Sequence, residues 1–216
     1  MKIVNSFLTS SVGKKILMSL TGLFLCSFLI IHVSGNLLLF KNDNGVSFDL
    51  YSHFMSTNLI IRTIEIGLFA FILLHIYVGL LLTFTNRKLR PKNYKKYKLS
   101  ETTTFESRIM RLSAVLVLIF LIIHLRTFWF EARFLGATSQ YKLILTSFSN
   151  LYYTGFYIFS MLLLAMHLKH GFQSAFQTLG IKNSNYNTII NIFSFIFWFI
   201  IPILFASMPI YIFLNK

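Results

Sequence analysis

An all-α, polytopic membrane protein is the fold class this sequence predicts, and three observations carry the prediction. Hydrophobic residues fill 56% of the 216 positions and charged residues 12%, with a mean hydropathy of +0.69. A soluble core of this size needs far more polar surface to cover it. The apolar residues fall into five runs, each near the ~20 residues a bilayer core requires. Lysine and arginine are spread unevenly between the connections on the two sides of those runs.

Five transmembrane helices follow, at Ile16–Phe40, Arg62–Thr85, Leu112–Phe130, Leu151–Phe172 and Ile189–Phe213. Together they read as one membrane domain, residues 1–216, with a four-helix bundle and a fifth helix beside it. The N-terminal stretch has no small-residue cleavage pattern before the first apolar run, so that run is expected to stay as a helix. Of the prolines, Pro91 falls in a connection, whereas Pro202 is expected to kink the fifth helix.

Orientation follows from the basic residues. The N-terminal side carries Lys2, Lys14 and Lys15, then Arg87, Lys88, Arg90, Lys92, Lys95, Lys96, Lys98, Arg108 and Arg111, then Lys169 and Lys182. The other side carries Lys41, Arg62, Arg126, Arg133, Lys142 and Lys216. Fourteen against six puts the N-terminus in the cytoplasm and the C-terminus outside. The net charge of +14 is mostly this bias, which argues against nucleic-acid binding. The stretch Arg87–Lys98 suits anionic lipid, or an acidic partner; lipid is the plainer reading.

Four histidines lie inside four separate apolar runs: His32, His75, His124 and His167. An ionisable ring in lipid is costly, so it faces a bundle interior and has a job. One histidine on each of four helices suits a partner that takes nitrogen ligands in pairs. Haem iron is the economical candidate, since two bis-imidazole haems use all four. The single cysteine, Cys26, excludes an internal disulfide, a cysteine-based zinc site and an iron–sulfur cluster held by this chain alone. No C-x-x-C-H run exists, so haem here would be held non-covalently.

Depth sorts the histidines into layers. With about 1.5 Å of rise per residue, His32 and His124 lie roughly 13 and 10 Å below the outer helix ends, and His75 and His167 roughly 20 and 26 Å. An outer pair, His32 with His124, therefore joins the first helix to the third. An inner pair, His75 with His167, joins the second to the fourth. The chain also echoes itself. Phe28-Leu-Ile-Ile-His32 recurs as Phe120-Leu-Ile-Ile-His124. Gly79 and Gly171 each follow a histidine by four, Phe84 and Phe176 by nine, and both histidine spacings are 43. Two hairpins related by an axis along the membrane normal account for this. Gly35, three residues after His32, suits close approach of a flat macrocycle; helix–helix packing through small residues is the alternative, and covers Gly22 and Gly67 equally.

Weaker candidates remain. His170 shares a helix face with His167 and is an alternative ligand, a partner for a haem propionate, or an interfacial histidine; His167 is favoured as ligand by its depth. Arg126 is a propionate partner or a snorkelling side chain. Arg62 and Glu65 form a local i,i+3 ion pair or a polar wall for a quinone headgroup, with His53 in the connection nearby.

With those residues in view, the chain resembles the cytochrome b membrane-anchor subunit of succinate dehydrogenase and fumarate reductase, in its five-helix, two-haem, single-anchor type. The stretches that carry the resemblance are Ser10-Ser-Val-Gly-Lys-Lys15, Ile31-His32-Val-Ser-Gly-Asn36, Ser52-His53-Phe-Met55, Leu74-His75-Ile-Tyr-Val-Gly79, Ile123-His124-Leu125 and His167-Leu-Lys-His-Gly-Phe-Gln-Ser-Ala-Phe-Gln-Thr-Leu-Gly180. The last is the most specific; the fifth helix matches only as an apolar span. The resemblance implies a bacterial cytoplasmic (inner) membrane and two haem b groups, proximal on His75 and His167 and distal on His32 and His124. It implies a flavoprotein (FAD) subunit and an iron–sulfur subunit on the cytoplasmic side, with a quinone, commonly menaquinone, as electron partner. Some members carry a glutamate two residues before the fourth ligand, linked to proton transfer; here the position is Ala165. Nothing on this chain supplies a flavin site, so dicarboxylate chemistry would belong to the partners.

Three rivals stand beside this reading. Another diheme cytochrome b, anchoring a hydrogenase or formate dehydrogenase, fits less well where two helices carry two histidines each. A haem-free proton relay usually has acids inside its helices, and only Glu65 is near the membrane here. A structural anchor without haem is the last.

Overall fold

A computed structural model describes residues 10–88, 105–136, 138–181 and 186–215. Among them every regular element is helical. The basic stretch Arg87–Lys98, beyond the backbone of its first two residues, lies outside the described residues, as do Lys2, Pro91, Lys182 and Lys216.

The first span is α1, Ser11–Asn36, which tightens into a 3-10 turn at Leu37–Phe40. A short helix, α2, covers Val46–Thr57. The second span, α3, is Leu59–Lys88. The third, α4, runs from Phe105–His124 through a π-helical turn at Leu125–Phe130 into Glu131–Phe134. A second short helix, α5, is Gln140–Phe148. The fourth span, α6, is Leu151–Thr178. The fifth, α7, runs from Asn187–Phe195 through a π turn at Ile196–Ile200 into Ile201–Leu214. Five helices are thus long and apolar enough to cross a membrane: Ser11–Phe40, Leu59–Thr85, Ile109–Phe134, Leu151–Thr178 and Asn187–Leu214. The chain is a multi-pass membrane protein, and each span extends a few residues past its apolar run because capping residues lie outside that run.

The caps explain the boundaries. Ser10 accepts the amide of Gly13 at 2.9 Å to start α1. Asn58 Oδ1 accepts the amides of Ile60 and Ile61 at 3.0 and 3.2 Å at the head of α3. Asn150 Oδ1 does the same for Tyr152 and Tyr153 at 2.9 and 3.1 Å at the head of α6. Each side chain satisfies helix amides that have no intrahelical partner. Gly180 ends α6 at φ 73, with Ile181 donating to the Phe176 carbonyl and Gly180 to that of Gln177, a Schellman stop. In α7 the π turn directly precedes Pro202, where the missing proline N–H breaks the α-helical ladder.

The connections after α1 and α4 each fold into a short helix. Both lie at the same end of the bundle, here termed the capped end. Asp49 on α2 joins them: it accepts the Ser139 hydroxyl at 2.6 Å and the Tyr141 amide at 2.9 Å. Gly45, at φ 80, leaves the space that the Tyr141 ring occupies. Asp43 accepts the amides of Gly45 and Ser47, and the Ser47 hydroxyl holds its carboxyl below the usual carboxylate range.

Helices α1 and α3 pack as one hairpin and α4 and α6 as another; α1 also packs on α6, and α7 lies against both α6 and α1. The buried core follows that asymmetry. One cluster at the capped end joins Val33, Leu39, Phe48, Ile144, Phe148, Tyr157, Met208 and Ile212. A second, nearer the basic end, joins Cys26, Leu168, Phe172, Phe197 and Ile201. The apolar core therefore sits between α1, α6 and α7, and leaves the bundle axis to the histidines.

Candidate functional site

Four helices turn one histidine each toward that axis, and the rings meet in two pairs. His32 of α1 faces His124 of α4, with ring centroids 5.8 Å apart and planes at 86°. His75 of α3 faces His167 of α6 at 6.4 Å and 73°. These are the partners that depth alone predicts.

The His32–His124 pair sits in an aromatic sleeve. Phe28 stacks on His32 at 5.3 Å and Phe205 of α7 lies 5.4 Å away. Phe120 and Phe128 flank His124 at 5.6 and 5.5 Å. The Tyr157 hydroxyl lies 3.3 Å from His124 Nδ1 and also accepts from the Tyr153 hydroxyl at 3.1 Å. Asn36 donates to the His32 carbonyl at 2.8 Å, which leaves its amide nitrogen a long 3.4 Å from His32 Nδ1.

The surroundings of the second pair are small and sparse. Thr21 Oγ1 lies 3.1 Å from His75 Nδ1. A Cβ added to Gly22 would meet His75 Cε1 at 3.3 Å, so Gly22 makes room for the ring where α1 packs on α3. His167 Nδ1 is buried and has no hydrogen-bond partner among the described residues. Gly35, by contrast, accommodates the Tyr51 ring of α2 and not a ligand beside His32. Gly67 has open space around it.

A polar wall closes the capped end between α3 and α4. Glu65 accepts from Arg62 at 2.7 Å, from Trp129 Nε1 at 2.7 Å and from Arg133 at 2.8 Å. Arg133 also donates to the Ser56 carbonyl at 3.1 Å, and Phe69 packs on Trp129 at 4.8 Å. The Arg62–Glu65 pair is as expected from their i,i+3 spacing. Trp129 and Arg133 are the members that sequence reasoning missed. Trp129 lies within the π turn after His124 and Arg133 just beyond it; that turn adds a residue and shifts both out of α-helical phase.

The remaining candidates stand apart. Arg126 pairs with Glu131 at 2.8 Å, covers the Phe130 ring and is 58% exposed. His53 lies exposed on α2. His170 is half-buried one turn beyond His167. Among the described residues no three His, Cys, Asp or Glu side chains gather at one point, so each histidine pair stands as two facing rings with no third such group beside them.

A family model described as succinate dehydrogenase/fumarate reductase transmembrane subunit matches residues 85–206. The match covers more than half of the chain and contains His124 and His167. No curated protein and no solved structure gives a significant match.

Proposed function

The chain belongs to the family of succinate dehydrogenase/fumarate reductase transmembrane subunits, and from that premise we propose that it is a two-haem cytochrome b anchor that passes electrons between an iron–sulfur subunit and a membrane quinone. The two facing histidine pairs, at 5.8 and 6.4 Å between centroids, carry the reading. Metal–imidazole bonds of about 2 Å put two rings on opposite sides of one metal about 6 Å apart, centre to centre. A two-ligand site suits an ion whose other positions are filled by a macrocycle.

His32 and His124 would hold one haem b and His75 and His167 the other. A bound haem supplies reversible one-electron iron chemistry. The protein's part is to fix the rings, exclude water and tune ligand basicity through the second ring nitrogen. Thr21 and Tyr157 serve that purpose: a hydroxyl oxygen accepting from Nδ1–H selects the tautomer whose Nε2 lone pair is free for iron. His170 remains the alternative inner ligand.

The excess of basic residues supports a cytoplasmic N-terminus and an outer C-terminus, in what would be a bacterial inner membrane. The basic end then faces the flavoprotein and iron–sulfur subunits, with the capped end outermost. Glu65, Arg62, Arg133 and Trp129 form the wall against which a quinone headgroup, of the menaquinone class, would lie beside the outer pair.

The test is a dithionite-reduced minus oxidised visible spectrum of the purified complex, with a pyridine haemochrome count. Two b haems per chain are expected. None, in protein shown to be folded, would overturn the electron-transfer reading.

A further inference from the structure

We infer that Ser113 positions His167, accepting its Nδ1–H as Thr21 accepts that of His75. The inference rests on the reading of His75 and His167 as a ligand pair.

The internal repeat relates Ser113 to Thr21. His32 and His124, and His75 and His167, are each 92 positions apart, as are the helix-capping Asn58 and Asn150. The same offset relates Met18 to Met110, Thr21 to Ser113 and Gly79 to Gly171. The equivalence is geometric as well as written in sequence. A Cβ on Gly79 would meet Met18 Cε at 3.4 Å, and one on Gly171 would meet Met110 Cε at 3.8 Å. The α1–α3 and α4–α6 hairpins therefore share one register.

In antiparallel helices, a step of three residues forward from the methionine lies level with a step of four back from the glycine. On the first hairpin that places Thr21 beside His75, where the contact is 3.1 Å. On the second it places Ser113 level with His167. Both hydroxyls are already turned the same way. Thr21 donates to the Leu17 and Met18 carbonyls at 2.9 and 3.1 Å, and Ser113 donates to the Met110 carbonyl at 3.0 Å. A hydroxyl that has given its hydrogen to the backbone retains lone pairs for an N–H donor.

Two further observations converge on this pair. Ser113 is fully buried, as Thr21 is. His167 Nδ1 is buried and unpartnered among the described residues, and a buried polar atom without a partner is costly. Ser113 is the acceptor that the register of the second hairpin supplies for it.

The test compares Ser113→Ala, Ser113→Thr and Thr21→Ala with wild type in the intact complex. Its readouts are haem content, inner-haem midpoint potential and low-temperature EPR signal. An Nδ1–H that donates to an acceptor makes the imidazole a stronger ligand to oxidised iron. Ser113→Ala is therefore expected to raise the inner-haem midpoint and shift its EPR signal, with the outer haem unmoved. Thr21→Ala should act in the same direction on the same haem, and Ser113→Thr should retain the wild-type values. Two haems in wild type, with both inner-haem readouts unmoved in Ser113→Ala, would overturn the inference and leave the haem assignment standing. Wild-type protein without haem would overturn both.

Discussion

The two histidine pairs differ far more in their surroundings than in their own geometry. Ring separations differ by well under 1 Å, yet His32 and His124 are enclosed by phenylalanines and reached by a tyrosine pair, whereas His75 and His167 have a threonine, a glycine and a buried serine level with them. The two settings are built by different means. Bulky rings fill the space around the first pair; small residues let helices close on the second. Identical ligands in unlike settings are how one bundle would hold two redox centres at different potentials. The Glu65 wall, with Arg62, Trp129 and Arg133, lies toward the capped end, the end of the His32–His124 pair.

The largest effect that could break this comparison is loss of a ligand. On the proposed pairing, His75→Ala or His167→Ala removes one haem and leaves the other partly assembled, and His32→Ala or His124→Ala does the converse. The pyridine haemochrome count should fall by at least half in each. Both haems retained in any of the four would sink the pairing, and loss of the inner haem from His170→Ala would move the ligand role to that residue.

A smaller effect is expected at the wall. Glu65→Ala leaves Arg133, whose side chain is 18% exposed, and Trp129 Nε1 without their shared acceptor. Hydrogen bonds to a charged group are worth about 2 kcal/mol, so unfolding in mixed micelles should begin at measurably lower denaturant. Under the proposed function, quinone-linked turnover should fall further than haem content. An unchanged KM for quinone would remove this wall from the quinone site while leaving its structural role intact.

Gly22→Ala probes the other region. Its new Cβ would stand 3.3 Å from His75 Cε1, so the ring or α1 must give by a few tenths of an ångström. Under the proposed assignment, the inner haem should change its EPR signal with the outer haem constant. An equal disturbance of both would mean that the two pairs are mechanically coupled rather than separately built.

Much of this arrangement is legible in the sequence because lipid leaves so little choice. An apolar run of the right length must be a helix, and a histidine's place along it gives its depth. The pairings of His32 with His124 and of His75 with His167 follow from that alone. What the runs do not reveal is phase and fine contact. The π turn at Leu125–Phe130 has no proline or glycine to announce it, so the convergence of Trp129 and Arg133 on Glu65 is invisible to a regular helical wheel. Helices α2 and α5 are too short to span, and their polar content reads as loop; tertiary contacts hold them, through Asp49 and through Phe48, Ile144 and Phe148 in the capped-end core. Gly22 and Gly35 look alike in sequence, yet one faces a histidine and the other a tyrosine, a distinction made wholly by the neighbouring helix.

The smallest expected effect tests whether the two hairpins are equivalent where no cofactor intervenes. Asn58 and Asn150 each accept two amides, at nearly the same distances. Removing such a cap costs about 1 kcal/mol. If the hairpins were equivalent, Asn58→Ala and Asn150→Ala would cost the same. The packing says otherwise. Asn150 heads α6, where Thr154 is buried and donates to the Phe148 carbonyl at 2.9 Å, so the first turn is tied to α5 by a second bond. The residues behind Asn58 are exposed isoleucines and Thr63, whose hydroxyl bonds within its own helix. Asn58→Ala should therefore fray its helix more, seen as faster amide exchange over residues 59–63 than Asn150→Ala produces over residues 151–155. Equal exchange in the two variants would mean that the caps alone set the stability of these helix starts and that the asymmetry of the bundle stops at the histidine layers.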